Sequence, residues 1–275
     1  MSRQEQYQLD GSAPELYERY LVPAVTAVWA ADLIERAGLK AGQRVLDVAC
    51  GSGVVTRLAA AQVGATGRVA GLDINAGMLE RARSLHQDIG ASIEWHHNDV
   101  VAMPFPDGAF DVVLCQLGLQ FFPDRPPALR EMYRVLVPGG RLALNVYSPI
   151  ERNPAARALA DGLDRHLDPA ASVSKRSEHA LDDPETVRGL VAGAGFRDLE
   201  IHTVTQVVRF PSPTEWLRIQ AAATPLAAVI GKLEAGQRTA LLEALDRDVG
   251  QALELYVDDQ GLGFPQECHV VLARS

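Results

Sequence analysis

The stretch Val45 to Thr56, VLDVACGSGVVT, constrains this chain more than any other. Val45, Leu46 and Val48 make an apolar, β-rich run with one embedded acid, Asp47. Gly51-Ser52-Gly53 follows, then Val54, Val55, Leu58 and Ala59 at helical spacing. The pattern reads as a strand, a tight glycine turn and a helix start. Glycines are needed where two backbone segments and a ligand approach one another and no Cβ fits. A helix that begins at such a turn presents unpaired N–H groups, which attract anionic or polar ligand groups. The stretch therefore predicts a nucleotide-type cradle, and on its own it is compatible with several cofactors.

The residues that follow repeat the theme. Arg68 to Asp73 is a short strand ending in an acid, and Asp73 lies 22 residues after Gly51. From that position a carboxylate accepts hydrogen bonds from ribose hydroxyls in a strand–turn–helix–strand unit; the alternative role is a helix cap. Asn75 can cap a helix carrying Met78, Leu79, Ala82 and Leu85. Further strands are expected over Ser92 to His97, Phe110 to Cys115 and Arg141 to Val146. Between the last two lies a helix capped by Asp124 and stopped at Pro138-Gly139-Gly140. Strict β/α alternation predicts an α/β fold with a doubly wound, mostly parallel sheet. Ligands bind such sheets beyond the carboxyl ends of the strands, where Asp47, Asp73, Asp99 and Gln116 all fall.

Outside this core the expectations are looser. Residues 1–13 are polar; helices run from Pro14 to Tyr20 and from Ala24 to Ala37, stopped by Gly38. Their aromatics, Tyr7, Tyr17, Tyr20 and Trp29, either pack against the sheet edge or, for Tyr17 and Tyr20, close over a ligand. From Ser148 to Leu181 the alternation lapses, with a helix near Pro154 to His166. Another helix starts at Asp183-Pro184. Phe196 to Arg209 reads as a strand or bent strand pair, Pro211 to Asp248 as helical, and Glu267 to Ala273 as the last strand. The chain is expected to form one domain over 1–275. It comprises an N-terminal helical cap over 1–37, a cofactor-binding core over 38–147, and helical insertions on the substrate side over 148–181 and 211–262.

Composition narrows the partners. With 275 residues and 47% hydrophobic content the chain can bury a full core. A formal charge of −9 lacks the basic footprint that phosphate backbones require, so no nucleic-acid partner is expected. Three scattered cysteines, Cys50, Cys115 and Cys268, suit neither a disulfide framework nor a zinc site and read as small apolar fillers. No stretch approaches the roughly 18 apolar residues of a membrane span, and the N-terminus has no signal-peptide core. A cytoplasmic protein without membrane insertion is expected; oligomeric state is not readable.

The dinucleotide fingerprint would place a third glycine where this chain has Thr56. Instead, VLDVACGSG, GLDINAGML, NDVVAMPF, FDVVLCQLGLQFFPD and LREMYRVLVPGGRL occur in order over roughly residues 40–147. Together they resemble the class I S-adenosylmethionine-dependent methyltransferases, and within them the ubiquinone/menaquinone-biosynthesis-like branch. The resemblance implies a Rossmann-like, seven-stranded sheet with helical lid insertions and S-adenosyl-L-methionine as methyl donor. It places Gly51, Ser52 and Gly53 against the methionine part of the donor. Asp47 either orients the turn or meets the donor's amino group. Asp73 would hold the ribose hydroxyls, Ile74 and Met78 would flank the adenine, and Asp99 with the Val100 backbone would read the adenine edge. Gln116 would sit beside the methionine portion facing the acceptor, and Tyr20 belongs to the cap over the donor.

Because a sulfonium is already electrophilic, transfer requires mainly in-line positioning, with a general base where the acceptor is protonated. Candidate bases are His166 and His179, with Tyr17 and Tyr20 as orienters. His96 and His97 adjoin the adenine-side strand. The acid at the fourth strand's end and the Asp-Asn pair of metal-dependent relatives are replaced by Cys115-Gln116 and a lone Asn145, so no metal is expected. The absent Asn-Pro-Pro-Tyr motif disfavours DNA and protein-glutamine acceptors. Trp29, Leu163, Trp216, Leu217 and Ile219 suit a small lipophilic or aromatic acceptor. The rival expectations are a cyclase- or decarboxylase-type enzyme of the same fold, and a cofactor-binding regulatory subunit.

Overall fold

The computed structural model describes residues 13–85, 90–168 and 170–275. Tyr7 and the polar reading of residues 1–12 lie outside them. The strands are β1 (Arg44–Val48), β2 (Arg68–Asp73), β3 (Ser92–His97), β4 (Phe110–Gln116), β5 (Leu136–Tyr147), β6 (Arg197–Phe210), β7 (Val257–Asp258) and β8 (Gly261–Arg274). They build one eight-stranded sheet whose main path runs β3-β2-β1-β4-β5-β8-β6, with the two-residue β7 paired off it to β8. Strands β1 to β5 are mutually parallel, and β8 runs antiparallel to both β5 and β6. The expected seven-strand path is present, with one short addition. Strand order reverses between β1 and β4, so the loops leaving these two strands open the crevice where ligands of such sheets bind.

Side-chain alternation explains the layers. Strands β1 and β4 are almost wholly buried, as strands covered on both faces must be. Leu46 and Val48 point to one face with Val113, Cys115 and Leu144, packed by Leu129 and Met132 of helix Arg125–Arg134. Val45, Val112 and Leu114 point to the other face, packed by Ala30 and Leu33 of helix Ala27–Ala37 and by Val55 and Ala59 of helix Val54–Val63. A third core lies over the end of the sheet. It joins Leu159 and Leu163 of helix Pro154–His166, Trp216 and Ile219 of helix Pro213–Ala223, and Leu245 and Val249 of helix Ala235–Leu253. The segments read as insertions thus share a core of their own.

Several boundaries moved for identifiable reasons. The N-terminal helices do not break at Pro23. The chain continues from Ala13 to Ala37, with π-helical turns over Tyr17–Thr26. The wider winding accommodates a proline ring that would meet the carbonyl four residues back in a regular α-helix. Gly38 ends the helix in the left-handed conformation (φ 58°). Asp124 occupies the N-cap position without making the capping bond. The next donors in line belong to Pro126 and Pro127, which have no N–H. That helix stops at Arg134, and Pro138-Gly139-Gly140 does not stop it. Those residues form a bulge inside β5, where the register jumps from Phe110–Leu136 to Val112–Arg141 and Gly139 takes φ 76°.

Phe196 to Arg209 resolves into the single strand β6, bulged near Asp198 (φ 50°). Strand β8 begins at Gly261 rather than Glu267 because residues 261–267 pair with β6 and, at Gly261 and Leu262, with β7, and have no partner in β5. An edge of this kind tolerates Pro265. Among the described residues, no helix is long and apolar enough to cross a membrane.

Candidate functional site

Parallel strands that start in register end along one edge, and the four strand-end residues Asp47, Asp73, Asp99 and Gln116 all line one cavity of about 490 Å³. Its first wall is the glycine turn. Gly51 takes φ 54°, and a Cβ there would meet only the Met78 methyl at 3.5 Å. Gly53 is different: at φ 85°, its Cβ would lie 2.4 Å from the Trp95 ring, and it does not line the cavity. Gly53 is required by packing against β3, while Gly51 and Ser52 face the cavity.

Asp73 clamps this turn. Its Oδ2 accepts the Gly51 N–H at 2.7 Å and its Oδ1 accepts the Asn75 N–H at 2.8 Å. Asn75, not Asp73, caps the following helix (Ala76–Ser84) by accepting the Met78 N–H at 3.0 Å. Burial raises the Asp73 carboxyl above its ordinary range, and the backbone donors oppose that rise. Ile74, Met78 and Val100 line the same wall. Asp99 does so too, while its Oδ1 caps the turn Val100–Ala102 through the Val101 N–H at 3.1 Å. His97 Nε2 lies 2.9 Å from the Ile74 carbonyl and ties β3 to the end of β2. His96 packs edge-on against Phe105, and neither histidine lines the cavity.

Asp47 is 1% exposed and accepts the Thr56 hydroxyl at 2.6 Å. Thr56, standing where the dinucleotide fingerprint has glycine, is the partner of the motif's own acid. Burial lifts the Asp47 carboxyl from 3.8 to about 7, with Asp73 adding to the rise and Thr56 opposing it. An unfolded Asp ionises near pH 4, so between those values the folded state holds a proton the unfolded state has lost. The stability contributed by the protonated carboxyl is therefore complete below about pH 4 and is lost as pH rises through about 7. Asp47→Asn removes this titration. Its urea-unfolding stability relative to the wild type is expected to rise between mildly acidic and mildly basic pH, by up to roughly 4 kcal/mol. A difference independent of pH would show that Asp47 does not titrate in that window.

The second wall is the end of β4. Gln116 donates from Nε2 to the Thr26 carbonyl at 2.9 Å, and its buried Oε1 has no partner among the described residues. Ser52 Oγ is likewise buried and unpartnered. Ala49 (φ 56°) and Leu117 (φ 50°) line the cavity in a left-handed conformation unusual for side-chain-bearing residues. The Leu117 N–H is fixed by Asn145 Oδ1 at 2.9 Å. Strain of this kind persists only where the surroundings over-determine it, and it clusters at ligand clamps. Nothing in the identity of Ala49 or Leu117 announced it.

The cap and the insertions close the far end. Tyr17 lines the cavity, hydrogen-bonded to the Thr26 side chain, and burial pushes its phenol up to about 12. Tyr20 faces away into a small outer pocket, with Arg19 and Arg218 over its ring at 5.2 and 5.5 Å. Trp29 is fully buried, as the packing reading required, and donates to Gln266 Oε1 at 2.6 Å. Arg57 links this cap to the glycine turn, donating to Glu18 at 2.9 Å and to the Ser52 carbonyl at 2.6 Å. His166 is outside the cavity, its Nε2 2.8 Å from Asp248, where it ties two insertion helices together. His179 is inside, 6% exposed. Around it the cavity is lined by Tyr147, Trp216, Phe264 and the ion pair Lys175–Glu178 (2.8 Å). Tyr147 was missed, although it ends β5 just as Asp47 nearly ends β1; the strand-end rule would have found it. Cys50 and Cys115 are buried thiols pushed up by desolvation, Cys115 to about 12, consistent with fillers rather than nucleophiles.

Known proteins resemble this chain in sequence and fold. The ubiE/COQ5 methyltransferase family model matches residues 22–161. A ubiquinone/menaquinone biosynthesis C-methyltransferase, UbiE, of Klebsiella pneumoniae is 35% identical over 191 residues, covering 65% of this chain and 76% of that protein. Among solved structures, a methyltransferase-like protein from Bacillus halodurans superposes with a TM-score of 0.56 at 23% identity, over 89% of this chain and 97% of that one. The Haemonchus contortus phosphoethanolamine N-methyltransferase 2 does so with a TM-score of 0.52 at 19% identity, over 90% of this chain and 52% of that one. The two structural likenesses establish the doubly wound fold. The family match begins inside the π-helical cap and runs through both cavity walls to the first insertion helix, and this chain belongs to the ubiE/COQ5 methyltransferase family.

Proposed function

We propose that the chain transfers a methyl group from S-adenosyl-L-methionine to a small lipophilic or aromatic acceptor, with donor and acceptor held at opposite ends of the one cavity. The observation that carries this reading is the continuity of the lining. It runs from Gly51, Asp73 and Asp99 at the strand ends to Trp216, Phe264 and His179 under the insertions. The donor end fits the donor's chemistry. Two buried polar atoms there, Ser52 Oγ and Gln116 Oε1, lack partners among the described residues, and buried polar groups are ordinarily hydrogen-bonded. Asp73 keeps acceptor capacity beyond its two backbone bonds for ribose hydroxyls, and Ile74, Met78 and Val100 offer apolar faces for adenine.

When bound, the donor supplies an electrophilic methyl group. The protein's own task is then to align the acceptor and exclude water, for which in-line geometry is the principal requirement. The apolar and aromatic lining of the far end suits a flat or lipophilic acceptor. The related Klebsiella protein is named for C-methylation in quinone biosynthesis, which lies within that class.

Calorimetric titration with S-adenosylhomocysteine is expected to show one site per chain. Radiolabelled S-adenosylmethionine is then expected to methylate members of a panel of phenols, quinols and amines. No binding of the donor product would overturn the whole reading. Binding with no transfer to any acceptor would favour a non-methylating protein of the same fold.

A further inference from the structure

Among the buried titratable groups of the cavity, His179 has the geometry of a proton acceptor. Its Nδ1 lies 2.8 Å from the Ser148 carbonyl and 3.5 Å from Asn153 Nδ2, and the shorter contact sets its role. A carbonyl cannot donate, so Nδ1 carries the proton and the neutral ring's lone pair sits on Nε2. Among the described residues Nε2 makes no hydrogen bond. The ring is held by stacking on Tyr147, with centroids 5.0 Å apart and planes at 29°. Tyr147 ends β5, and it lines the same cavity as Tyr17 and Asp73. The imidazole therefore opens onto the same cavity as the Asp73 clamp. The other candidates lack this placement: His166 is engaged by Asp248 outside the cavity, Tyr20 faces outward, and the Tyr17 phenol is far too weak an acid to act as a phenolate base.

Resting on the methyl-transfer reading above, we infer that His179 is the general base that deprotonates the acceptor. It takes the proton of an aromatic hydroxyl stacked beside Tyr147. The His179 Nε2 lone pair forms the new N–H bond as the acceptor's O–H bond breaks. An electron pair of the acceptor, on oxygen or on the ring carbon next to it, forms the bond to the methyl carbon. The pair of the broken carbon–sulfur bond stays on sulfur. Where the ring carbon is the nucleophile, its own hydrogen leaves as a proton when the ring rearomatises. The balance closes with methylated acceptor, neutral thioether and protons released through imidazolium to solvent.

Burial lowers the His179 pKa, keeping the ring neutral and competent at neutral pH, while the Ser148 carbonyl opposes that shift. The charged groups facing it are Glu178 and Glu151, which favour the imidazolium, and Lys175, which disfavours it and is itself paired with Glu178. Tyr147 stays un-ionised beside the ring, since burial holds its phenol well above the ordinary range. The net result is a base that is free at physiological pH and still able to accept a proton as the acceptor loses one.

The test uses the full chain with S-adenosylmethionine and a series of substituted phenols, comparing wild type with His179→Gln. For phenols still protonated at the assay pH, kcat/KM is expected to fall by about 100- to 10,000-fold. For 4-nitrophenol, assayed above its own pKa and already ionised, it is expected to fall by less than about 10-fold. With S-adenosylmethionine held saturating, so that Asp73 titration does not enter, the acidic limb of the wild-type pH profile, lying below the ordinary imidazole range, should vanish in the variant. Binding of S-adenosylhomocysteine, followed by calorimetry, should be unchanged. An equal loss across the phenol series overturns the proposal, as does a wild-type protein that binds the donor product but takes no phenol. Failure to bind the donor product would instead indict the donor site. Independently of any variant, nitrogen-15 spectra of the wild-type imidazole should show a neutral ring protonated on Nδ1; protonation on Nε2 overturns the assignment.

Discussion

Replacing Asp73 with alanine is expected to weaken S-adenosylhomocysteine binding on the order of 100-fold. Two charge-assisted hydrogen bonds to ribose hydroxyls, at about 1.5 kcal/mol each, amount to that factor. The same substitution strips the Gly51 and Asn75 N–H groups of their acceptor, at 2.7 and 2.8 Å in the native site. Each buried N–H left without a partner costs about 1–3 kcal/mol, so a lower urea midpoint should accompany the lost affinity. The two effects separate in Asp73→Asn, whose amide oxygen still accepts one backbone N–H but whose charge is gone. Calorimetry and urea unfolding on both variants distinguish the roles. Full donor affinity in Asp73→Ala with lost stability would reduce Asp73 to a clamp for the turn. Because burial raises the Asp73 carboxyl, donor affinity should also begin to fall on acidification at a higher pH than an ordinary aspartate would cause.

A large loss of stability is also expected at Gly53. An alanine there must hold φ near 85° and place its Cβ 2.4 Å from Cη2 and 3.0 Å from Cζ3 of Trp95. The left-handed conformation costs roughly 1–2 kcal/mol and the overpacking another 1–3, for a loss of roughly 2–5 kcal/mol in Gly53→Ala. Gly51→Ala should lose only the backbone part, roughly 1–2 kcal/mol, because its Cβ meets nothing closer than a flexible methionine methyl at 3.5 Å. Trimming the ring in Trp95→Leu should restore part of the Gly53→Ala loss, which a double-mutant cycle in urea would measure. Equal losses at the two glycines would show that the Trp95 contact contributes nothing. The same ring also lies where a Cβ on Gly71 would fall, at 2.7 Å. One indole therefore explains two of the motif region's glycines without any ligand.

The strand-end half of the cavity was legible because its signals are local. A strand end, a positive-φ turn and a helix start sit within a dozen residues of each other in Val45 to Thr56. The same unit recurs at Asp73 and Asn75. Where the strands are parallel and in register, residues at strand ends must share an edge, so Asp47, Asp73, Asp99 and Gln116 converge without further information. Even here the roles shifted. Asp47 is engaged by Thr56, and Gly53 is reserved for Trp95; both partners lie on other elements.

The half of the cavity under the helical insertions was not legible in this way. His166 and His179 stand 13 residues apart in a segment without β/α alternation, and nothing local separates them. Packing of helix Pro154–His166 against helix Ala235–Leu253 sends His166 to Asp248 on the outside. The turn after helix Val173–Ser177 sends His179 beneath Ser148 and onto Tyr147. Tyr20 and Tyr17 were equivalent as aromatic residues of one helix. Winding the chain through Pro23 as π-helical turns put Tyr17 in the cavity and left Tyr20 between Arg19 and Arg218.

By itself, then, the sequence determined the sheet, its order of chemistry and the polar edge where the strands end, because period-two burial and glycine turns act over neighbouring residues. Only the tertiary structure decided which histidine and which tyrosine face the cavity. Those choices depend on how helices distant in sequence share one hydrophobic core, and no local pattern records that.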